Sequence, residues 1–234
     1  GNGPSLKRIN NNMLINHDVF AVNFFFNNEW FNKLRSVFYF FTDPAIFGDC
    51  NKQKLSKQAI NEINNLINNT SVKRIIIPFQ RKKQWLQSFR SSKDTDKMRY
   101  YYSNLEFLSR NTELTLPNGN FCKGQTVVIN ALLYAMALGY KKIYLLGVDM
   151  TGFLVEYEQN SNFQEHSYEK TGSQIEYIDM SSEDNEFYLK IYGKMFEQFK
   201  YIKNIADRNN IKILNAAPGG ALDVFDRVDF EKIF

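Results

Sequence analysis

The sequence predicts an α/β protein whose mostly parallel, Rossmann-like sheet is covered by helices on both faces. Two observations carry this expectation. Short runs of Val, Ile, Phe and Tyr alternate with helical stretches along the chain, an order that buries a parallel sheet from both sides. The chain also opens GNGPSLKRI, a glycine-rich turn leading into a helix start. Such turns follow a first strand and let backbone N–H groups approach an anion. We therefore expect a few apolar residues, the first strand, to be missing ahead of Gly1, and a phosphate-bearing ligand near Gly1, Asn2, Gly3 and Ser5. The turn matches neither the G-x-G-x-x-G fingerprint nor the P-loop ending in Lys-Ser/Thr.

The elements follow in order. DVFAVNFFF (18–26) and SVFYFF (36–41) are aromatic and β-branched runs bounded by polar residues, which predicts buried strands. KLSKQAINEINNLINN (54–69) sets Leu55, Ala59, Ile63, Leu66 and Ile67 on one helical face, and VKRIIIPF (72–79) reads as the next strand. TVVINALLYAMALGY (126–140) is an apolar helix closing near Gly139, followed by the strand KKIYLLGVD (141–149). Residues 186–210 predict a long helix and IKILNA (211–216) a final strand. Between them, residues 151–183 are polar, spotted with aromatics and aperiodic, the profile of a lid or binding loop. There is no internal repeat, and 1–234 reads as a single domain.

Composition narrows the class. Twenty-nine Lys+Arg against 25 Asp+Glu give a net charge of +4, too modest to demand nucleic acid. Two cysteines, Cys50 and Cys122, sit in no disulfide framework or zinc spacing, which fits a reducing cytoplasm. No apolar run is long enough to span a bilayer. Asp94-Thr95-Asp96 imitates a metal-holding Asp-x-Asp, but it lies in the charged loop SSKDTDKMR with no strand ahead of it, so no metal site is expected. Arg81-Lys82-Lys83 through Tyr100-Tyr101-Tyr102 is basic and aromatic; it reads as a solvated helix face or a contact with an anionic glycolipid or membrane.

In a parallel sheet, ligands sit beyond the carboxyl ends of the strands. The suspects there are Asn2, Asn23 with Asn27, Asp43, and Asp149 with the loop behind it. Asp149 reads either as a loop anchor or as a ligand contact. Histidine has the pKa of a general base at neutral pH, and of the two histidines His166 lies in the lid while His17 precedes a strand.

Together these pieces resemble the bacterial sialyltransferases that act on lipo-oligosaccharide, and a broader set of sequences from surface-polysaccharide gene clusters. The resemblance spans most of the chain. GNGPSLK is similar to the phosphate-side turn of that family, DVFAVNFFF to its second strand with Asn23, and FYFFTDPAIF to its third, where Asp43-Pro44 replaces Asn-Pro. ALGYKKIYLLGVD is the most specific match, and the closing NAAPGGALDVFDRVDFEKIF resembles the broader set.

The resemblance implies a GT-A-like variant of the fold and an inverting, metal-independent glycosyltransferase. It would move sialic acid or a related nonulosonic sugar from a CMP donor to a surface-glycan acceptor, with no resident cofactor. Asn2 and Asn23 would donate hydrogen bonds to phosphate and ribose, and Asp43 would accept from a ribose hydroxyl. In that family a small hydroxyl residue opens the helix that precedes the Ala-Leu-Gly-Tyr stretch. Strict alignment puts Val127 there, with Thr126 one place earlier as the substitute. Tyr157 and Tyr168 would stabilise the leaving phosphate. The base position of the sialyltransferases reads SSEDNEFY here, without a histidine; His166 with Tyr168 fits the His-aromatic pattern of the broader set instead. The partners implied are the CMP-sugar and a glycan or glycolipid, in the cytoplasm or at the inner membrane face, with homo-oligomerisation open. Two alternatives remain at this point: an ATP- and Mg²⁺-dependent enzyme resembling hydroxymethylpterin pyrophosphokinase, and a non-catalytic nucleotide-sugar-binding subunit.

Overall fold

A computed structural model describes residues 1–48, 53–89, 96–117, 119–152, 175–177 and 185–233. Five strands form one parallel sheet in the order β1 (Asp18–Val22), β2 (Ser36–Phe40), β4 (Val72–Pro78), β5 (Met98–Phe107) and β6 (Asn120–Lys123). A second parallel pair joins β7 (Lys142–Leu145) to β9 (Lys212–Asn215). β3 (Gln53–Leu55) pairs antiparallel with β8 (Ile175–Tyr177), which lies inside the expected lid segment. The helices are α1 (Lys57–Asn68), α2 (Lys82–Ser88), α3 (Val127–Ala137) and α4 (Asn185–Arg208).

The period-two rule divides the sheet between two cores. Val37, Tyr39, Ile75 and Ile77 face one way and pack with Ala59, Ile63 and Ile67 of α1 and Trp85 of α2. Phe40, Ile76 and Tyr101 face the other and pack with Ile129 and Leu132 of α3 and Phe199 and Ile202 of α4. Helices thus cover both faces, as the alternation predicts. α1 starts where the Ser56 side chain accepts the Ala59 N–H, a side-chain N-cap.

Three expectations change. The first strand stops at Val22 rather than Phe26, because Asn23 adopts a left-handed conformation with φ of 48°. The Tyr39 hydroxyl fixes that turn by donating to the Asn23 carbonyl (2.7 Å) and accepting the Phe26 N–H (2.9 Å). The basic aromatic segment is not one helix face. It contains the short α2 and then β5, where Tyr101 is buried against Phe121. β5 and β6 themselves are additions to the expected elements.

Candidate functional site

The opening turn folds into a short 3₁₀ segment, Pro4–Arg8, set against the end of β7. Most of its N–H groups are spent inside the protein. The Gly1 nitrogen donates to the Leu146 carbonyl (2.8 Å), Gly3 N–H to the Gly147 carbonyl (2.8 Å), and Leu6 N–H to the Gly3 carbonyl (3.2 Å). Ser5 gives both its N–H (2.8 Å) and its hydroxyl to the Asp149 carboxylate. The turn is therefore built as a braced platform, and the expected cradle of free N–H donors at Gly1, Gly3 and Ser5 is not its arrangement. Gly3 is required for close approach: a Cβ there would fall 2.5 Å from the Asp149 carboxyl carbon and 2.9 Å from the Gly147 carbonyl oxygen.

Asp149 is 5% exposed, and of its two sequence readings the anchoring one matches its contacts. Its carboxylate is occupied by Ser5, and its carbonyl accepts the Ala221 N–H (2.6 Å). Gly220, at φ of 85°, lies so close that a Cβ would stand 2.7 Å from the Asp149 Cα. The loop that delivers Gly220 is held by Arg227, whose guanidinium donates to the carbonyls of Ala217, Gly219, Gly220 and Leu222. Arg227 and Gly220 escaped the sequence reading. The Pro-Gly-Gly turn in NAAPGG was their only signal, and it names no partner.

What the platform presents is Asn2. Its side-chain amide donates to the Val22 carbonyl (3.2 Å), at the carboxyl end of β1, which brings it beside Asn23. The Asn2 and Asn23 side-chain oxygens are both buried without a hydrogen-bond partner, and so is the side-chain nitrogen of Asn27 one turn later. A buried polar atom left unpaired costs about 1–3 kcal/mol. Asn2 and Asn23 stand side by side at the carboxyl end of β1, where their unpaired oxygens are available to a polar ligand. With its amide committed to Val22, Asn2 offers an acceptor oxygen, which suits a hydroxyl better than the phosphate the sequence reading gave it.

Asp43 is half-buried past the end of β2, the strand paired with β1, so it lies on the same edge as Asn23. Its carbonyl accepts the Ile46 N–H (3.1 Å). Thr126 is the N-cap residue of α3, and its side chain makes no capping bond. His166, Tyr157 and Tyr168 lie outside the described residues, as does Asp94. Among the described residues no group of three His, Cys, Asp or Glu side chains could hold a metal ion, and no helix is long and apolar enough to cross a membrane.

An open parallel sheet binds its ligands beyond the carboxyl ends of its strands, and that edge carries Asn2 and Asn23 beside the braced glycine turn. Residues 1–175 match the alpha-2,3-sialyltransferase (CST-I) family. The chain belongs to that family and is a glycosyltransferase of the sialyltransferase type. Among solved structures it is similar to the sialyltransferase CstII from Campylobacter jejuni in complex with the substrate analogue CMP-3FNeuAc. The identity is 17% and the TM-score 0.51, over 97% of this chain and 83% of that one. It is also similar to CST-II in complex with a trisaccharide acceptor and CMP, at 16% identity and a TM-score of 0.48, over 97% and 82% of the two chains. The first of these likenesses shows the fold. No curated protein sequence matches.

Proposed function

We propose that the chain is an inverting, metal-independent transferase that takes sialic acid or a related nonulosonic sugar from a CMP donor and places it on a surface glycan. The observation that supports this reading is the pair of buried, unpaired side-chain oxygens of Asn2 and Asn23 at the carboxyl end of β1. They are neutral and suited to the hydroxyls and amide-like edges of a nucleotide. Asp43 is suited to accept from a ribose hydroxyl, and Thr126 stands ready at the mouth of α3 with its hydroxyl uncommitted to the cap.

In this reading the acceptor hydroxyl oxygen attacks the anomeric carbon as the bond from that carbon to the phosphate oxygen breaks. The electron pair leaves with CMP and the hydroxyl proton passes to a base, for which His166 is our assignment. Tyr157 and Tyr168 would donate to the departing phosphate. The work takes place at the cytoplasmic side of the membrane, on a glycan or glycolipid.

Calorimetric titration tests the donor. CMP should bind equally in EDTA and in Mg²⁺. Binding of ATP or UDP only with Mg²⁺, with no binding of CMP, would overturn the reading. His166→Ala should lower kcat by about 10²–10⁴-fold while leaving CMP affinity nearly unchanged. Full turnover in that variant would remove His166 from the reaction.

A further inference from the structure

All five strands of the larger sheet run parallel, so β6 ends on the same edge as Asn23 and Asp43, and the chain passes from there into α3 through residues 124–126. Two buried carboxamides hold this passage by its backbone. Asn130 of α3 donates from Nδ2 to the Cys122 carbonyl (3.3 Å). Gln198 of α4, 5% exposed, accepts the Gln125 N–H at Oε1 (2.6 Å) and donates from Nε2 to the Lys123 carbonyl (3.4 Å). Gly124 lies between these bonds with no room for a side chain, since a Cβ would fall 2.8 Å from Asn130 Oδ1 and 2.9 Å from the Ile129 Cβ. A helix start is ordinarily fixed by the side chain of its own N-cap residue. Here Thr126 holds that position in an extended conformation and its side chain makes no capping bond. The bond that fixes the turn comes instead from α4, 73 residues further along the chain.

We infer that Gln198 is a positioning residue of the transferase: by holding Gln125 from outside the loop it relieves Thr126 of capping and keeps the Thr126 hydroxyl for the donor. The inference rests on the donor site proposed above. Threonine at an N-cap normally gives its oxygen to an N–H of the first helical turn. Gln125 is the residue just before that cap, so anchoring its N–H sets the direction in which the chain enters α3, and with it the way Thr126 faces. A glutamine suits the task because the loop offers one N–H and one carbonyl, and a carboxamide supplies one acceptor and one donor. It does so without burying a charge, which would be costly at such a depth. Lying beneath the loop, Gln198 acts through Thr126 rather than on the sugar.

A double-mutant cycle tests this, read as CMP affinity by calorimetry. Gln198→Met keeps the length and burial of the side chain and removes both of its bonds to the loop. Gln198→Met and Thr126→Val should each weaken CMP binding about tenfold. The double variant should also lose about tenfold rather than a hundredfold, because the second change removes a hydroxyl that the first has already turned away. Ile202→Val trims the core face of the same helix, which lowers stability without reaching the loop, and should leave CMP affinity unchanged. Without nucleotide, the Gln125 amide should exchange about tenfold faster in Gln198→Met than in the wild type. The proposal is overturned if Gln198→Met binds CMP as tightly as the wild type, if the two single effects multiply in the double variant, if Ile202→Val weakens binding as much, or if Gln125 exchange does not change. A wild type that binds no CMP would sink the donor reading instead, and exchange at Gln125 would still decide whether Gln198 holds the loop.

Discussion

Asn23 has a backbone duty and a side-chain duty, and two substitutions separate them. Its φ of 48° is one that asparagine tolerates, glycine adopts freely and alanine resists. We expect Asn23→Gly to keep its thermal stability and lose CMP affinity, because only the carboxamide is removed. Asn23→Ala should lose both, with a stability cost of about 1 kcal/mol. Unchanged calorimetric affinity in the glycine variant would take the side chain out of the site. At this scale the sequence was informative about place and less so about roles. Asn23 was expected at a strand end and Asn2 in the opening turn, and the structure sets the two side by side at the carboxyl end of β1. That Asn2 spends its amide on Val22, and that the Tyr39 hydroxyl arrests β1 at Asn23, are contacts between distant residues which no local pattern encodes.

Among the elements, the runs that are apolar throughout or strictly periodic were legible: β2, β4, α1 and α3. β5 was not. Its sequence MRYYYSNLEF mixes aromatic and polar residues after a charged loop, and only a neighbour on each side makes it a strand. The platform behind the site is likewise a contact between ends of the chain. Asp149→Ala would leave the buried Ser5 N–H and hydroxyl without an acceptor, so we expect a loss of about 3 kcal/mol in urea unfolding, with Ser5→Ala losing about 1 kcal/mol. Equal stability of wild type and Asp149→Ala would show that the bracing is idle. Arg227→Ala releases four carbonyls on a half-exposed loop and should cost about 2 kcal/mol in the same measurement.

The bracing of Asp149 by the loop that Arg227 holds ties the last stretch of the chain to the first. Thermodynamic reciprocity then applies: whatever free energy a firmly seated tail lends to nucleotide binding, the bound nucleotide returns to the tail. Saturating CMP should accordingly raise the opening free energy of residues 216–227, read by hydrogen exchange, by as much as loosening Arg227 weakens CMP binding. Segments remote in sequence, the opening glycine turn and the loop of residues 216–227, would share one equilibrium.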